Sequence, residues 1–367
     1  MKLPKLSFII ILFSFYFQFI NCRVDKKVHT PDNFKKVDCN IQQYRMQNLC
    51  EDEKQYLDDA AKFNPDLNFN DLDRNVLQKI TLETKDVDIA AALYYQRLLK
   101  YPSNKEFLYY IDTKEKLYNK KMPDYSSRGA LFLMVPGMFY KDNTEVDASG
   151  KSMRELVKQI GLKEGVINVE QSGDVDRNAV IICNYLKDFK DTEVRGIILV
   201  SASKGSGDIK RAIARCGKEP YFNLVRGWFN IGGITKGSMI VDGIRNNFKN
   251  YIEARLYFLI KRYNWKGLMS IRHGDNAPLS SEVDIPSYMT VVSIVGIPLF
   301  RHVTPRARPY YEYLIRYGPS DGMVLLSDAY IPGGYIFPSF RNDHYFQYSL
   351  SKEKMAAILS FIIEKKF

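Results

Sequence analysis

Apolar positions change their period along this chain, and the changes divide it. From about Asp71 to Asn119 they recur at helical spacing. Asp86-Val87-Asp88 opens a stretch with Ile89, Leu93, Leu98 and Leu99 on one broad face, ending before Pro102. Ser103, with Glu106 three residues on, reads as a capping box for a next helix that carries Phe107, Leu108 and Ile111. Near Gly129 the pattern changes. Ala130–Val135 is a continuous apolar run, as a strand buried on both faces requires. A helical stretch follows from Ser152 to Ile160, then a strand over Val166–Val169, then a helix from Asp176 to Phe189 with Val180, Ile181, Cys183 and Leu186 inward. The alternation continues with a strand at Gly196–Val200, a helix at Asp208–Cys216 and a strand at Val225–Ile231. A fifth strand is predicted over Met289–Val295, a sixth over Tyr335–Phe337, and a closing helix over Lys352–Glu364. Strands alternating with helices predict the α/β class, a doubly wound and mostly parallel sheet.

Between the fourth and fifth strands lies an insert, roughly 234–285, with an amphipathic helix through Phe248, Ile252, Leu256 and Leu259. It reads either as a cover over a site or as an ordinary packed helix. The main domain is expected over 126–367, behind a polar arm and helical extension over 23–125. Residues 23–55 are polar and irregular.

The first 22 residues differ from everything after them. Met1–Lys5 is basic, Leu6 to Ile20 is nearly all apolar, and Asn21-Cys22-Arg23 ends the run. Such a stretch is marginal for crossing about 30 Å of hydrocarbon and has the form of a secretory signal over 1–22. Phe19-Ile20-Asn21-Cys22 resembles a bacterial lipobox, with Asn21 where a small residue is usual. The expected location is therefore outside the cytoplasm, as a periplasmic lipoprotein anchored through Cys22 or as a secreted chain.

Composition adds bounds. The chain has 367 residues and 46% hydrophobic residues, enough for one large domain with a sizeable core. Its formal charge of +11 is scattered through the sequence, without a basic patch or a nucleic-acid motif. It leaves association with a membrane surface open. Of five cysteines, Cys39 and Cys50 are candidates for a disulfide, while Cys183 and Cys216 lie in helical patterns and read as buried thiols. No Cys/His spacing suggests a metal, and no cofactor is expected.

The candidate chemistry sits after the third strand. A serine hydroxyl becomes a nucleophile only with a base in reach, a group orienting that base, and donors for the developing oxyanion. A tight strand-to-helix turn presents such a serine above the sheet and needs small neighbours, usually Gly-x-Ser-x-Gly. Ser201-Ala202-Ser203-Lys204-Gly205 has that form around Ser203, with Ser201 in place of the first glycine. Here the chain resembles the α/β-hydrolase family over about 129–365. The family's order is serine, acid, histidine. Asp321, in Gly318-Pro319-Ser320-Asp321-Gly322, looks like its acid, and His344, in Asn342-Asp343-His344, looks like its histidine before the last helix. Asp328 and Asp343 are alternatives for the acid, and His29, His273 and His302 for the base. Val135-Pro136-Gly137-Met138 resembles the oxyanion turn. The backbone amides of Met138, or Phe139 in its stead, and of Lys204 would be the donors. The resemblance implies an esterase or lipase acting on an ester or lipid-like small molecule through an acyl-enzyme. Thioester or amide cleavage, or a non-catalytic surface binding protein on the same scaffold, are the alternatives.

Overall fold

The computed structural model describes residues 49–346 and 350–367; the expected signal, Cys22, His29 and Cys39 lie outside them. Among the described residues the first helices are α1 (Glu51–Lys62), α2 (Arg74–Thr84), α3 (Val87–Lys100) and α4 (Pro102–Tyr118). The alternating part runs β1 (Ala130–Val135), α5 (Lys151–Gln159), β2 (Lys163–Val166), α6 (Val175–Lys187), β3 (Gly196–Ala202), α7 (Lys204–Cys216) and β4 (Val225–Ile231). The insert holds α8 (Met239–Asn246), α9 (Phe248–Lys261) and α10 (Trp265–Met269). β5 (Thr290–Ile297), α11 (Arg308–Leu314), β6 (Tyr335–Phe340) and α12 (Lys352–Lys366) complete it.

The six strands form one sheet in the order β2-β1-β3-β4-β5-β6, and each neighbouring pair is parallel. Alternate side chains of a strand point to opposite faces, so an all-apolar strand feeds two cores. Phe132, Met134, Ile198 and Val200 pack with Ile358 and Ile362 of α12 on one face. Leu131, Leu133, Ile197 and Leu199 pack with Ile182 of α6 and Ile213 of α7 on the other. This is the doubly wound α/β architecture the alternation predicts.

The sheet also fixes where a site can form. β1 has β2 on one side and β3 on the other, so the chain's winding reverses between β1 and β3. In open parallel sheets the crevice beyond the strand ends at such a reversal is the binding place. The turn after β1 and the Ser203 turn after β3 both lie there.

The helices before β1 pack on this frame. Phe107 of α4 meets Phe361 of α12 edge-on at 4.8 Å, and Lys114 pairs with Glu364 at 2.7 Å. Glu53 of α1 is fully buried against Arg341, Arg301 and His302. Burial opposes ionisation of Glu53, but the His302 and Arg341 contacts outweigh it and lower its pKa to about 2.

Several local expectations are revised. The second strand is Lys163–Val166, not Val166–Val169. It is an edge strand and needs no apolar run; Ile167 and Val169 are buried just beyond it, where Ile167 donates to Met134 O at 2.9 Å. α4 begins at Pro102 with Tyr101 before it, so Ser103 is inside the helix and caps nothing; proline suits the first position, where its fixed φ is already helical and an N–H would have no intrahelical acceptor. The polar arm is helical from Glu51. α6 turns Val175, Ala179, Ile182, Cys183 and Leu186 inward, leaving Val180 and Ile181 half-buried.

Cys183 and Cys216 are not thiols but a disulfide joining α6 to α7. Each lies on the buried face of its helix, and the packing of the two helices brings the Cα atoms to 6.2 Å, within bridging range. Cys50 is also disulfide-bonded.

Candidate active site

Ser203 occupies a turn between β3 and α7 with φ 50° and ψ −120°. A serine pays strain there, as nucleophile turns do. The turn is tight because α7 starts against the end of β1. A Cβ at Gly205 would strike the carbonyl oxygen of Val135 and lie 2.8 Å from that of Pro136, so only glycine fits. The helix also begins at Lys204, earlier than its apolar pattern indicates, because Ser203 itself stands at its N-cap.

Ser201, in place of the usual glycine, is fully buried and hydrogen-bonded. The Trp228 indole N–H donates to its Oγ at 2.8 Å, and Ser201 and Ser206 hydroxyls meet at 2.9 Å. Ser206 donates to Asn230 Oδ1 at 2.6 Å, and Asn230 Nδ2 to Ser293 Oγ at 3.1 Å. This polar chain runs beneath the turn from β3 to β5. A glycine at 201 would leave the buried Trp228 N–H without that acceptor, a cost of about 1–3 kcal/mol.

Three side chains from distant parts of the sequence meet here. His344 Nε2 lies 2.9 Å from Ser203 Oγ, and His344 Nδ1 lies 2.8 Å from Asp321 Oδ2. The Asp321 loop is tightly held. Its Oδ1 accepts from the amides of Met323 and Val324, both at 2.8 Å, and its carbonyl accepts from the His344 amide at 2.7 Å. Burial alone would depress the His344 pKa, but the Asp321 carboxylate against Nδ1, with Asp343 nearby, raises it above the usual imidazole value. In the neutral ring, Nδ1–H donates to Asp321 and Nε2 is free to accept a proton from Ser203.

The alternatives are engaged elsewhere. Asp343 accepts from the amides of Thr304 and Tyr345, at 2.8 and 2.9 Å. Asp328 is 3.3 Å from His273 Nε2 in the insert. His302 is buried against Glu53, its pKa pushed down to about 4 by burial.

The turn after β1 lies beside Ser203. A Cβ at Gly137 would come within 3.4 Å of the Ser203 Cβ. Phe139 has φ 58°, and its amide donates to Gln171 O at 2.9 Å. That commitment removes Phe139 as a free donor. The Lys204 amide, in the first turn of α7, has no acceptor within its helix. The Lys204 side chain is buried and pairs with Asp208 at 2.6 Å. Asp208 also accepts from Asn178 Nδ2 at 2.9 Å, and Asn178 holds the backbone of Glu170, next to the Gln171 that holds Phe139. Sequence spacing gives no hint of this link between the two turns, because its members lie on four separate segments.

Ser203 and His344 open into a cavity of about 1180 Å³. Its walls are mainly apolar, with Met134, Met153, Leu156, Ile234, Val241 and Leu268 among them. The insert forms one wall through Asn250, Glu253, Ala254, Tyr257 and Phe258 of α9. The apolar stripe of this helix faces away from the cavity: Phe248, Leu256 and Leu259 are 81%, 50% and 73% exposed. Among the described residues, no three His, Cys, Asp or Glu side chains converge as a metal site would.

No family model and no curated protein matches the chain. Solved structures do. The metagenomic carboxyl esterase MGS0156 is 18% identical, with 66% of this chain and 78% of that chain covered and a TM-score of 0.54. The Bacillus licheniformis lipase BlEst2 in its mature form is also 18% identical, covering 66% of this chain and 91% of its own, with a TM-score of 0.44. With the parallel sheet, its winding reversal and the strained serine turn, the first of these likenesses identifies the architecture: the chain has the α/β-hydrolase fold.

Proposed function

We propose that the chain is a serine hydrolase that cleaves carboxylic esters through an acyl-enzyme on Ser203. The observation that carries this reading is the relay of Ser203, His344 and Asp321, two hydrogen bonds of 2.9 and 2.8 Å at the mouth of an apolar cavity. His344 takes the Ser203 proton while Asp321 fixes its tautomer. Ser203 Oγ forms a bond to the ester carbonyl carbon, and the amides of Met138 and Lys204 stabilise the resulting oxyanion. Collapse breaks the bond to the leaving oxygen, which takes the proton from His344. Water, deprotonated by His344, then releases the acid. The solved carboxyl esterase of the same fold agrees with this reading.

The walls favour an apolar acyl chain. With p-nitrophenyl esters of increasing length, kcat/KM should rise about fourfold for each methylene accommodated in the cavity, from a transfer energy of about 0.8 kcal/mol. Steady-state kinetics measures this. A profile falling beyond acetate would reject an apolar acyl site, and no hydrolysis of any ester would reject the reaction in favour of a binding scaffold.

The pH dependence has a definite sign. The base must be neutral, and His344 is raised. Activity should therefore be lost at low pH and appear as pH rises through a midpoint above 6.5. Asp321→Asn should move that midpoint down and lower kcat by about 10⁴-fold. A pH–rate profile unchanged in Asp321→Asn would contradict the assignment.

We further take the chain to be exported, on the basic head and apolar run of residues 1–22 and the Cys183–Cys216 bond, of a kind that persists in oxidising compartments.

A further inference from the structure

The insert helix α9 is built the wrong way round for a helix in water. Its inner face, on the cavity, carries Asn250 and Glu253 beside Tyr257 and Phe258. Its outer face carries Phe248, Ile252, Leu256 and Leu259, spaced four, four and three residues apart, with Ile260 beside them. These five are 46–81% exposed and make up half of the exposed large apolar side chains among the described residues. Singly exposed apolar residues are ordinary; a contiguous stripe on one helix is not.

The charges around the stripe have one sign. Arg245, Lys249, Arg255, Lys261, Arg262 and Lys266 are all exposed. The sole carboxylate from 245 to 266 is Glu253, which is turned toward the cavity and lies 3.9 Å from Lys249. Trp265 lies beneath Arg255, at 5.1 Å from its guanidinium carbon. An apolar stripe edged by cations and aromatic rings is the composition of a helix that lies in a lipid–water interface, its apolar face among the acyl chains and its cations at anionic headgroups. A second protein partner of ordinary surface would not require a border without acids.

We propose that the outer face of α9 docks the protein on an anionic lipid surface, with Phe248, Ile252, Leu256 and Leu259 inserted and the basic border on the headgroups. The same helix walls the cavity, so docking sets the Ser203 cavity directly against the lipid.

The test is co-sedimentation of the full chain with phosphatidylcholine vesicles, with and without phosphatidylglycerol. Phe248→Ser/Leu256→Ser/Leu259→Ser should lower partitioning onto the anionic vesicles by about 100-fold. Its hydrolysis of a short soluble p-nitrophenyl ester should be unchanged, since none of the three lines the cavity. Both chains carry the same N-terminal apolar segment, so its contribution cancels. Lys249→Gln/Lys261→Gln/Arg262→Gln, which keeps the stripe, should lose roughly fivefold per cation at low salt and little at high salt. Ser203→Ala should bind as wild type, which separates docking from the catalytic reading. The proposal is overturned if the serine variant partitions like wild type. It is overturned equally if wild type binds neutral vesicles as well as anionic ones, or if the stripe proves to be a dimer contact, seen as a wild-type dimer that the serine variant dissociates while neither binds lipid.

Discussion

Ser203→Ala should lower ester hydrolysis by about 10⁶-fold and abolish labelling by a fluorophosphonate, with the thermal midpoint unchanged. The size follows from the unit character of the relay. Once the nucleophile is absent, His344 and Asp321 have nothing to activate, and the residual rate comes from binding and the oxyanion donors alone. His344→Ala should cost nearly as much, and the double variant little more than either, because each loss removes the same step. The fold should not suffer. Ser203 Oγ hydrogen-bonds to His344, a catalytic contact, and the turn's geometry is set by Gly205 against β1 and by the amide of Ser203 on Ile231 O. Titration with the phosphonate, followed by mass spectrometry of the labelled peptide, measures the outcome. Label retained in Ser203→Ala would locate the nucleophile elsewhere.

Much of this arrangement is legible in the sequence, for physical reasons that differ by element. β1, β3, β4 and β5 are buried on both faces, so their apolar runs stand out against any neighbouring pattern. The serine turn is legible because sterics restrict it: Gly205 has no alternative against Val135 O. Asp321 and His344 are legible only from their order after Ser203 and from the turn residues around them. Spacing along the chain could not establish that they touch. Asp321 comes well after β5, and the segment through α11 brings it back over the strand ends.

What escaped the sequence reading involves partners that periodicity does not see. β2 is an edge strand, and its Lys163-Glu164-Gly165-Val166 carries no strand signature. α9 has a clear helical period, but a period reports which residues share a face and not what that face meets. The structure turns the apolar face outward. The helical pattern puts Cys183 and Cys216 on buried helix faces, yet only the packing of α6 on α7 shows that the faces oppose each other. Ser201 departs from the turn motif because its hydroxyl accepts from the Trp228 indole, a partner that the motif does not include.

The buried pair of Lys204 and Asp208 gives the second large effect, this time on stability. The side chains are 2% and 1% exposed, and burial pushes the Asp208 carboxyl up against the pull of the Lys204 ammonium. Taking two charges from water costs several kcal/mol each, and their attraction rarely returns more than that. Lys204→Met removes one partner and leaves Asp208 buried with Asn178 alone, so it should destabilise the protein by about 3–5 kcal/mol. The same logic predicts recovery. Lys204→Met/Asp208→Leu removes both charges and should regain most of that loss, since an apolar pair of similar volume fits the same space. Urea unfolding of the three variants measures the cycle; a double variant no more stable than the single one would show that the pair itself, and not the abandoned carboxylate, accounts for the cost. Turnover should not recover with stability. The chain from Lys204 through Asp208, Asn178 and Glu170 to Gln171 and Phe139 ties the turn after β1 to the Ser203 turn, the two turns proposed to supply the oxyanion donors. Cutting it loosens their spacing, and a displacement of about 1 Å costs on the order of 10²-fold in rate. A double variant with wild-type stability and wild-type kcat would confine the pair to the core.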